Sequence, residues 1–340
     1  MLIDAFTFDK LLASHKKCRC CKQHKNQTIN FEINLAQNLA TMSSQLLSKT
    51  YQVGPYKAFK IYEPKERLIE ALGYKDRVVL MALCTNVIQP KLERCLIYDN
   101  VACRKGKGTH FGVRRLESFL HSFYNKNGSN KGYFLKCDIT KFFQSINHDI
   151  LISLLKKTTL DEEDMWIIER IIASKNAEAG VGLPIGNQTS QWFGLFYLNV
   201  VDRLIKEKLR VKYYVRYMDD MILVHEDKEF LQFCKQQIEK CAKEKLNLSL
   251  NRKTQIGRLE DGIDFLGFRH ILLESGKVLR LLRQQAKYRL KNKIKFIAKC
   301  RDLNLVNDQF IKVRLNAFNA HLCHSNAKKL YFKYKKKFDL

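Results

Sequence analysis

Two adjacent carboxylates, Asp219 and Asp220, interrupt an otherwise apolar stretch at residues 213–225. The tyrosines and β-branched residues on both sides favour strands, so the pattern predicts a hairpin with the pair at its turn. Adjacent negative charges repel each other unless a divalent cation neutralises them. The pair therefore indicates a metal site on a hairpin, and an ordinary acidic turn is the alternative.

A third carboxylate occurs in similar surroundings. Asp138 ends a short apolar strand, residues 133–137, just before a helical pattern begins. Carboxylates at the ends of neighbouring strands can meet on one sheet and hold two Mg²⁺ ions about 3.5–4 Å apart for in-line phosphoryl transfer. One ion would lower the pKa of the attacking hydroxyl, and the other would stabilise the leaving pyrophosphate. The three aspartates therefore predict polymerase chemistry, with Mg²⁺ as the cofactor and Mn²⁺ as a substitute.

The chain is strongly basic, with 61 Lys and Arg against 34 Asp and Glu and a net charge of +27. This excess favours a polyanionic partner such as nucleic acid, and a membrane surface is the competing partner. Residues 271–340 hold 18 Lys and Arg against four acidic residues, a net +14, with aromatic residues interleaved. That pattern predicts basic helices that bind nucleic acid, with a solvated charged face as the alternative.

The chain has 11 cysteines, and its first residues lack the apolar core of a secretory signal. This combination predicts a reducing, cytoplasmic location in which the cysteines stay thiols. No apolar stretch approaches the roughly 20 residues of a membrane span. Cys18, Cys20 and Cys21, with His24 nearby, lack a second pair at finger-like spacing, so thiols in a basic N-terminal arm are favoured over zinc.

Apolar periodicity predicts both helices and strands, and a hydrophobic content of 46% is ample for packed cores. A helix is predicted from Phe31 to Leu46, followed by a hairpin at residues 58–72 whose turn contains Pro64. Short strands reach about residue 279, and basic helices follow from about residue 281. The other predicted helices lie at 76–87, 109–124, 148–157, 161–173 and 187–209 and around 230–241.

Several motifs follow one another in order along the chain. They are residues 74–79 (YKDRVV), 103–110 (CRKGKGTH), 183–191 (LPIGNQTSQ), 217–220 (YMDD), 251–254 (NRKT) and 265–268 (FLGF). With Asp138 upstream of residues 217–220, this set resembles the polymerase core of a reverse transcriptase from about residue 31 to residue 299. Any one of the motifs is weak, but the ordered set is strong.

Residues 183–191 are the most discriminating segment. Most of the superfamily has Gln-Gly here and ends the motif Ser-Pro, whereas this chain has Ile185-Gly186 and ends it Ser190-Gln191. Together with the segments EPKER and FEINL at residues 63–67 and 31–35, this variant resembles the reverse transcriptases of diversity-generating retroelements. Such enzymes copy a template-repeat RNA with frequent errors opposite adenine, and the mutated cDNA replaces a variable gene segment.

The resemblance implies a right-hand polymerase of the α+β class, with fingers, an antiparallel-sheet palm and a helical thumb. The expected bounds are a basic N-terminal arm at 1–30, fingers at 31–130, a palm at 131–270 with finger-derived helices within about 148–180, and a basic thumb at 271–340. No appended nuclease or maturase-like extension is expected. The implied partners are template RNA, the RNA/cDNA duplex, dNTPs and a small basic helical accessory protein, itself oligomeric. The gene would be bacterial, archaeal or phage-encoded.

The resemblance also assigns roles to single residues. Asp138, Ile139, Asp219 and Asp220 would bind the metals, and Lys253 would protonate the departing pyrophosphate unless it is a plain surface lysine. The expected nucleotide contacts are Lys65, Arg67, Ile139, Phe143, Ile185, Gly186 and Gln191. The expected primer and template contacts are Arg104, Lys105, Phe265, Leu266 and Gly267, with a solvated loop as the alternative for the two cations.

Two of these residues would set specificity. The ring of Phe143 would collide with a ribose 2′-hydroxyl and so favour dNTPs, and core packing beside Phe142 is the alternative. Ile185 stands where many relatives carry a glutamine that hydrogen-bonds the incoming nucleotide, so discrimination should weaken. That adenine is the affected template base follows from the resemblance alone.

Two other functions stay open. The first is a retron or group II intron-like reverse transcriptase, against which the ending Ser190-Gln191 and the missing extension argue. The second is a defence-associated nucleic-acid-binding protein on the same fold, which could lose its carboxylates. Asp138, Asp219 and Asp220 are all present.

Overall fold

The computed structural model describes residues 2–62, 66–175, 179–326 and 328–338. The chain divides into two compact units, and each has its own core. The first unit comprises Met1–Arg104, Asp138–Arg210 and Gln236–Arg252, and the second comprises Lys105–Cys137, Val211–Lys235 and Lys253–Leu340.

Helices and antiparallel strands alternate along the described residues. The helices are α1 (Leu2–Ala5), α2 (Phe8–Arg19), α3 (Asn26–Ile33), α4 (Leu35–Leu47), α5 (Tyr74–Leu83), α6 (Gln89–Leu92), α7 (Thr109–Asn127), α8 (Phe142–Ser145), α9 (His148–Leu155), α10 (Glu162–Ala173), α11 (Gln188–Tyr197), α12 (Asn199–Arg203), α13 (Lys228–Leu246), α14 (Gln284–Asp302), α15 (Asp308–Leu322) and α16 (Lys328–Lys337). The strands are β1 (Lys57–Ile61), β2 (Arg67–Ala71), β3 (Tyr133–Cys137), β4 (Tyr213–Tyr217), β5 (Asp220–His225), β6 (Gln255–Arg258), β7 (Ile263–Phe265), β8 (Phe268–Leu272) and β9 (Val278–Leu282). These elements confirm the predicted α+β class, whereas the predicted bounds of fingers, palm and thumb stay predictions.

The first unit is mainly helical and carries one hairpin, β1–β2. The predicted basic N-terminal arm is folded into helices, because α2 packs against α5 and buries Leu11 and Cys18. Cys20 and Cys21, which follow α2, are exposed free thiols. The apolar faces of these helices therefore contribute to the core of this unit.

Two predicted helices are interrupted, which corrects the sequence-based prediction. The helix expected from Phe31 to Leu46 is broken at Asn34, whose φ of −117° and ψ of 44° are not helical. Asn38 Nδ2 donates to Phe31 O at 2.9 Å and so satisfies a carbonyl at the end of α3. The helix expected at 187–209 divides into α11, α12 and a π-helical turn, Leu204–Lys208.

The helix predicted at 76–87 is α-helical only as far as Leu83. After α5 the chain forms a π-helical turn, Cys84–Ile88, before α6 begins. Pro90 lies within α6 and has no N–H to donate to the carbonyl four residues earlier. A wider turn just before the proline is a common response to such a missing bond.

The second unit contains a four-stranded antiparallel sheet in the order β4-β5-β3-β6. Helix α7 packs on β4, and the rings of Phe119 and Phe123 lie 5.7 and 6.3 Å from the ring of Tyr213. Leu135 on β3 and Leu223 on β5 face each other in the register and are fully buried. The central strands are therefore held from within the core.

A three-stranded sheet, β7-β8-β9, and helices α14 to α16 complete the second unit. Phe268, Leu282, Ile294, Leu315 and Tyr331 share one apolar cluster. None of the helices in the described ranges is both long and apolar enough to span a membrane.

A partly buried ion pair, Glu117 with Arg280, ties α7 to this second sheet. Arg280 on β9 binds the carboxylate of Glu117, and its Nη1 also donates to His324 O at 2.7 Å. Burial alone would raise the pKa of Glu117, but the nearby imidazole of His270 and the hydrogen bonds from Arg280 hold it at about 2. Glu117 is therefore charged at neutral pH and anchors these elements to one another.

Candidate functional site

The aspartate hairpin consists of β4 and β5, joined by a two-residue turn at Met218 and Asp219. Tyr217 and Asp220 form the last pair before the turn. Met218 adopts a φ of 54°, a left-handed conformation that side chains other than glycine rarely adopt. Arg216, which is 0% exposed, donates from Nη1 to Met218 O at 2.8 Å and so fixes this turn.

Asp220 has a cation beside it on the neighbouring strand. Lys136 Nζ on β3 lies 3.3 Å from Asp220 Oδ1 and also donates to Asp264 O at 2.6 Å. Both side chains are partly buried, so their attraction is screened less than that of a surface pair. A carboxylate that attracts an ammonium group here also suits a metal cation.

Sequence reasoning missed Lys136 and Arg216. Both are charged residues in the middle of apolar strands, and such residues are costly to bury unless they are paired. A lone charge inside a strand pattern is thus a signal that could have identified them. Their partners lie in the turn and in another strand, and no local pattern predicts those partners.

Asp138 follows β3 directly, as the sequence predicts. Asn251 N donates to Asp138 O at 2.7 Å, and Ile139 forms an isolated antiparallel bridge with Leu250. In the second unit the register ends with Cys137 opposite Met221. The main chain at Asp138 and Ile139 is therefore held by Leu250 and Asn251.

Carboxylate oxygens are ligands that Mg²⁺ prefers, so the three aspartates fit the ion chemically. Within residues 2–62, 66–175, 179–326 and 328–338, however, no group of three or more His, Cys, Asp or Glu side chains is arranged to hold a metal ion. Asp138, Ile139, Asp219 and Asp220 thus remain predicted metal ligands.

The hairpin β1–β2 carries the predicted phosphate contact. Arg67 is the first residue of β2, is exposed, and pairs with Ile61 across the hairpin. Lys65, the other predicted contact in this hairpin, lies outside the described residues.

The segment that contains Ile185 lies against β2. Glu70 N donates to Ile185 O at 3.0 Å, which places this segment along the edge of β2 that β1 leaves open. Gly186 has a φ of 151°, and a Cβ atom there would lie 2.6 Å from Glu70 O. Only glycine fits this close approach of two main chains. Arg67 therefore lies on the β1–β2 hairpin, and Ile185 and Gly186 lie in the segment that runs beside β2.

Two other predicted nucleotide contacts in the first unit, Phe143 and Gln191, lie on α8 and α11. Phe143 is partly buried, and the centre of its ring lies 5.3 Å from that of Phe142. The Phe143 ring also lies close to Gly194, because a Cβ atom added at Gly194 would be 3.3 Å from it. Gln191 is exposed and accepts a hydrogen bond from Cys103 Sγ at 3.2 Å. Burial raises the pKa of the Cys103 thiol to about 11, so it remains a neutral donor.

The predicted template contacts differ from each other. Arg104 donates to Glu93 Oε1 at 3.2 Å and to Ile97 O and Asn100 O at 2.8 and 2.9 Å, whereas Lys105 is exposed. Arg104 thus already shapes its own loop.

The predicted primer contacts lie in the turn between β7 and β8. Phe265 is buried, Leu266 has a φ of 47°, and Gly267 has a φ of 90° with no atom near its missing side chain. Lys253, which precedes β6, is exposed. These residues and Lys253 keep their predicted roles as predictions.

Comparison with known proteins identifies the fold. Three telomerase structures share it, although the identities are too low to show more than the fold. They are apo telomerase from Candida tropicalis truncated from its C-terminal domain (TM-score 0.53, 17% identity, 72% of this chain and 60% of that chain), apo telomerase from Candida tropicalis (0.51, 16%, 67% and 49%) and telomerase from Candida albicans in complex with a TWJ fragment of telomeric RNA (0.50, 13%, 74% and 52%). This chain thus spans only about half of the length of these proteins.

The sequence comparisons identify the family. No curated protein sequence matches the chain significantly. The profile of the family described as reverse transcriptase (RNA-dependent DNA polymerase) matches residues 63–270, which is more than half of the chain. This match covers β2 of the first hairpin, the β4–β5 hairpin and the four-stranded sheet. The chain therefore belongs to the reverse transcriptase (RNA-dependent DNA polymerase) family of nucleotidyltransferases.

Proposed function

We propose that this chain is the reverse transcriptase of a diversity-generating retroelement, which makes adenine-mutagenised cDNA from a template-repeat RNA. Membership in the reverse transcriptase family supports RNA-directed DNA synthesis. The observation that carries the finer assignment is Ile185, an aliphatic residue followed by a glycine packed on β2, in a motif that ends Ser190-Gln191. The enzyme, encoded by a bacterial, archaeal or phage gene, would act together with a small basic accessory protein.

The carboxylates of Asp138, Asp219 and Asp220, with the main-chain oxygen of Ile139, would hold two Mg²⁺ ions. These ions, when bound, activate the primer 3′-hydroxyl and stabilise the charge on the pyrophosphate. Lys136 offsets part of the negative charge of Asp220. Arg216 keeps the turn, and hence Asp219, in one conformation.

Four further residues would bind the nucleotide and complete the reaction. Arg67 and Lys65 bind the triphosphate, and Lys253 delivers a proton to the leaving pyrophosphate. Phe143 blocks the position of a ribose 2′-hydroxyl, which selects dNTPs. The strongly basic helices α14 to α16 would hold the RNA/cDNA duplex through its phosphates.

Ile185 would weaken base selection because its side chain cannot donate or accept a hydrogen bond. A tenfold difference in fidelity needs only about 1.4 kcal/mol of differential transition-state binding. One good hydrogen bond contributes on this scale. Loss of a single bond at this position is therefore sufficient to make the enzyme mutagenic.

The test is the error spectrum of the wild-type enzyme. Purified protein, with the accessory protein supplied, copies a defined RNA template in Mg²⁺, and the cDNA is sequenced. We expect errors to be concentrated opposite template adenine. Uniformly low error at all four bases would contradict the retroelement assignment and leave an ordinary reverse transcriptase.

A further inference from the structure

The base of the β1–β2 hairpin is bonded to the segment that carries Ile185 at two separate points. Tyr56 directly precedes β1, and its hydroxyl accepts a hydrogen bond from Asn187 Nδ2 at 2.9 Å. Glu70 near the end of β2 donates its N–H to Ile185 O at 3.0 Å. Both strands of the hairpin therefore hold the same three residues, Ile185 to Asn187.

The bond to Tyr56 is one step in a directed chain. Ser174 Oγ donates its only proton to Ile171 O at 2.7 Å, so it must accept from Tyr56 at 2.9 Å. Tyr56 in turn uses its oxygen to accept from Asn187. Burial raises the pKa of the Tyr56 phenol, which keeps it a neutral donor over the working pH range. The chain thus connects the Ile185 segment to the end of α10.

The bond to Glu70 is reinforced at the same end of α10. Lys175, the residue after Ser174, forms an ion pair with the carboxylate of Glu70, whose side chain is only 16% exposed. Gly186 leaves no room for a side chain here, because a Cβ atom added to it would lie 2.6 Å from Glu70 O. Ser174 and Lys175 therefore fix one strand each, and the two strands fix the Ile185 segment.

We propose that Tyr56 and Glu70 are positioning residues that couple the nucleotide-gripping hairpin to the base-selecting segment at Ile185. The inference rests on the proposed function, because the two coupled elements are those assigned to the triphosphate and to the base pair. A movement of the hairpin that follows the triphosphate would shift Ile185 with it. Nucleotide affinity and base selection would then change together.

The variants remove single hydroxyl groups. Tyr56→Phe deletes the middle of the chain, and Ser174→Ala deletes its far end. Ser43→Ala is the matched control, because Ser43 Oγ also donates to a main-chain carbonyl, Phe6 O, at 2.8 Å and lies outside the site. Both serine variants lose a bond donated to a main-chain carbonyl, and only Ser174→Ala also loses the bond to Tyr56.

The first readout is amide hydrogen exchange of the full-length protein, which needs no catalysis. We expect Tyr56→Phe and Ser174→Ala to accelerate exchange in peptides that cover residues 66–72 and 183–188 together, and Ser43→Ala to change neither. If one of these peptides loses protection without the other, or neither does, the proposed coupling is wrong.

The second readout is single-nucleotide incorporation on an RNA template, with KM and kcat measured for the correct and the incorrect dNTP. We expect Tyr56→Phe to raise the KM for the correct dNTP about fivefold at nearly constant kcat, since a change of that size corresponds to the loss of one neutral hydrogen bond. The KM for the incorrect dNTP should change less. If Tyr56 had a purely structural role, Tyr56→Phe would lower the melting temperature and leave both KM values at the level of Ser43→Ala. That result would overturn the proposed role in nucleotide selection. A wild-type enzyme without any extension would refute the proposed function, while the exchange data still decide the coupling.

Discussion

Two hairpins of this protein, β1–β2 and β4–β5, differ in what holds them. In the β4–β5 hairpin, residues 213–216 and 221–224 are buried, and Arg216 fixes the turn from within the core. In the β1–β2 hairpin, four of the five residues of β1 are exposed, and Phe59 and Leu68 are about half exposed. The buried hairpin carries Asp219 and Asp220, whereas the exposed hairpin carries Arg67.

This difference matches the demands of the two proposed tasks. Metal ligands must be held within a fraction of an ångström, and a hairpin locked by core packing provides that rigidity. A nucleotide grip must open and close, and a hairpin whose first strand is mostly exposed leaves room for that movement. We therefore expect chemistry to depend on the buried hairpin and nucleotide selection to depend on the base of the exposed hairpin.

The largest expected effect is on chemistry. Asp219→Ala should lower Mg²⁺-dependent primer extension by at least about a thousandfold, because a ligand that stabilises the transition-state charge contributes several kcal/mol. The exposed residue Asp9 on α2 offers a control, since Asp9→Ala removes a carboxylate outside the site. Near-wild-type extension by a folded Asp219→Ala protein would exclude the metal site as assigned.

A matched pair of truncations compares the stability of the two hairpins directly. Leu223→Ala on β5 removes a side chain that is 0% exposed, whereas Leu68→Ala on β2 removes one that is 47% exposed. We expect the first to lower the free energy of unfolding by about 2–5 kcal/mol and the second by less than about 1 kcal/mol. Chemical denaturation measures both, and equal losses would contradict the difference in how the hairpins are held.

The basic helices α14 to α16 lie outside the β1–β2 and β4–β5 hairpins, and we expect their charges to affect nucleic-acid binding. Charge reversal of Lys291, Lys295, Lys299 and Lys312 should weaken binding of an RNA/DNA hybrid, and each lost phosphate contact should lower the salt slope by about one. The same reversal on α13, at Lys235, Lys240, Lys243 and Lys245, is the control. An unchanged salt slope would leave residues 271–340 as a solvated charged surface.

Local sequence patterns predicted the elements that carry the site. The apolar runs around Asp219 and Asp220 placed the hairpin turn correctly, and Asp138 does follow a short strand. Strand alternation and apolar runs are local signals that burial imposes on the sequence. The prediction failed at Asn34, where a side chain at Asn38 satisfies a main-chain carbonyl and allows the helix to end.

The contacts that position the site were not predictable in the same way. Arg216 with Met218, Lys136 with Asp220, and Tyr56 with Asn187 join residues through side-chain geometry. Tyr56 and Asn187 lie on segments far apart in the sequence, and no local pattern indicates that they pair. Only the folded chain shows that the two segments meet.

The most direct test of the account compares Ile185→Gln with wild type on one RNA template, with cDNA sequencing as the readout. Ile185→Leu is the matched control, because it keeps an aliphatic side chain of the same size. We expect Ile185→Gln to lower the error frequency opposite adenine about tenfold, by restoring a hydrogen bond of about 1.4 kcal/mol, while Ile185→Leu stays near wild type. Equal adenine error frequencies in all three proteins would contradict selection by this segment.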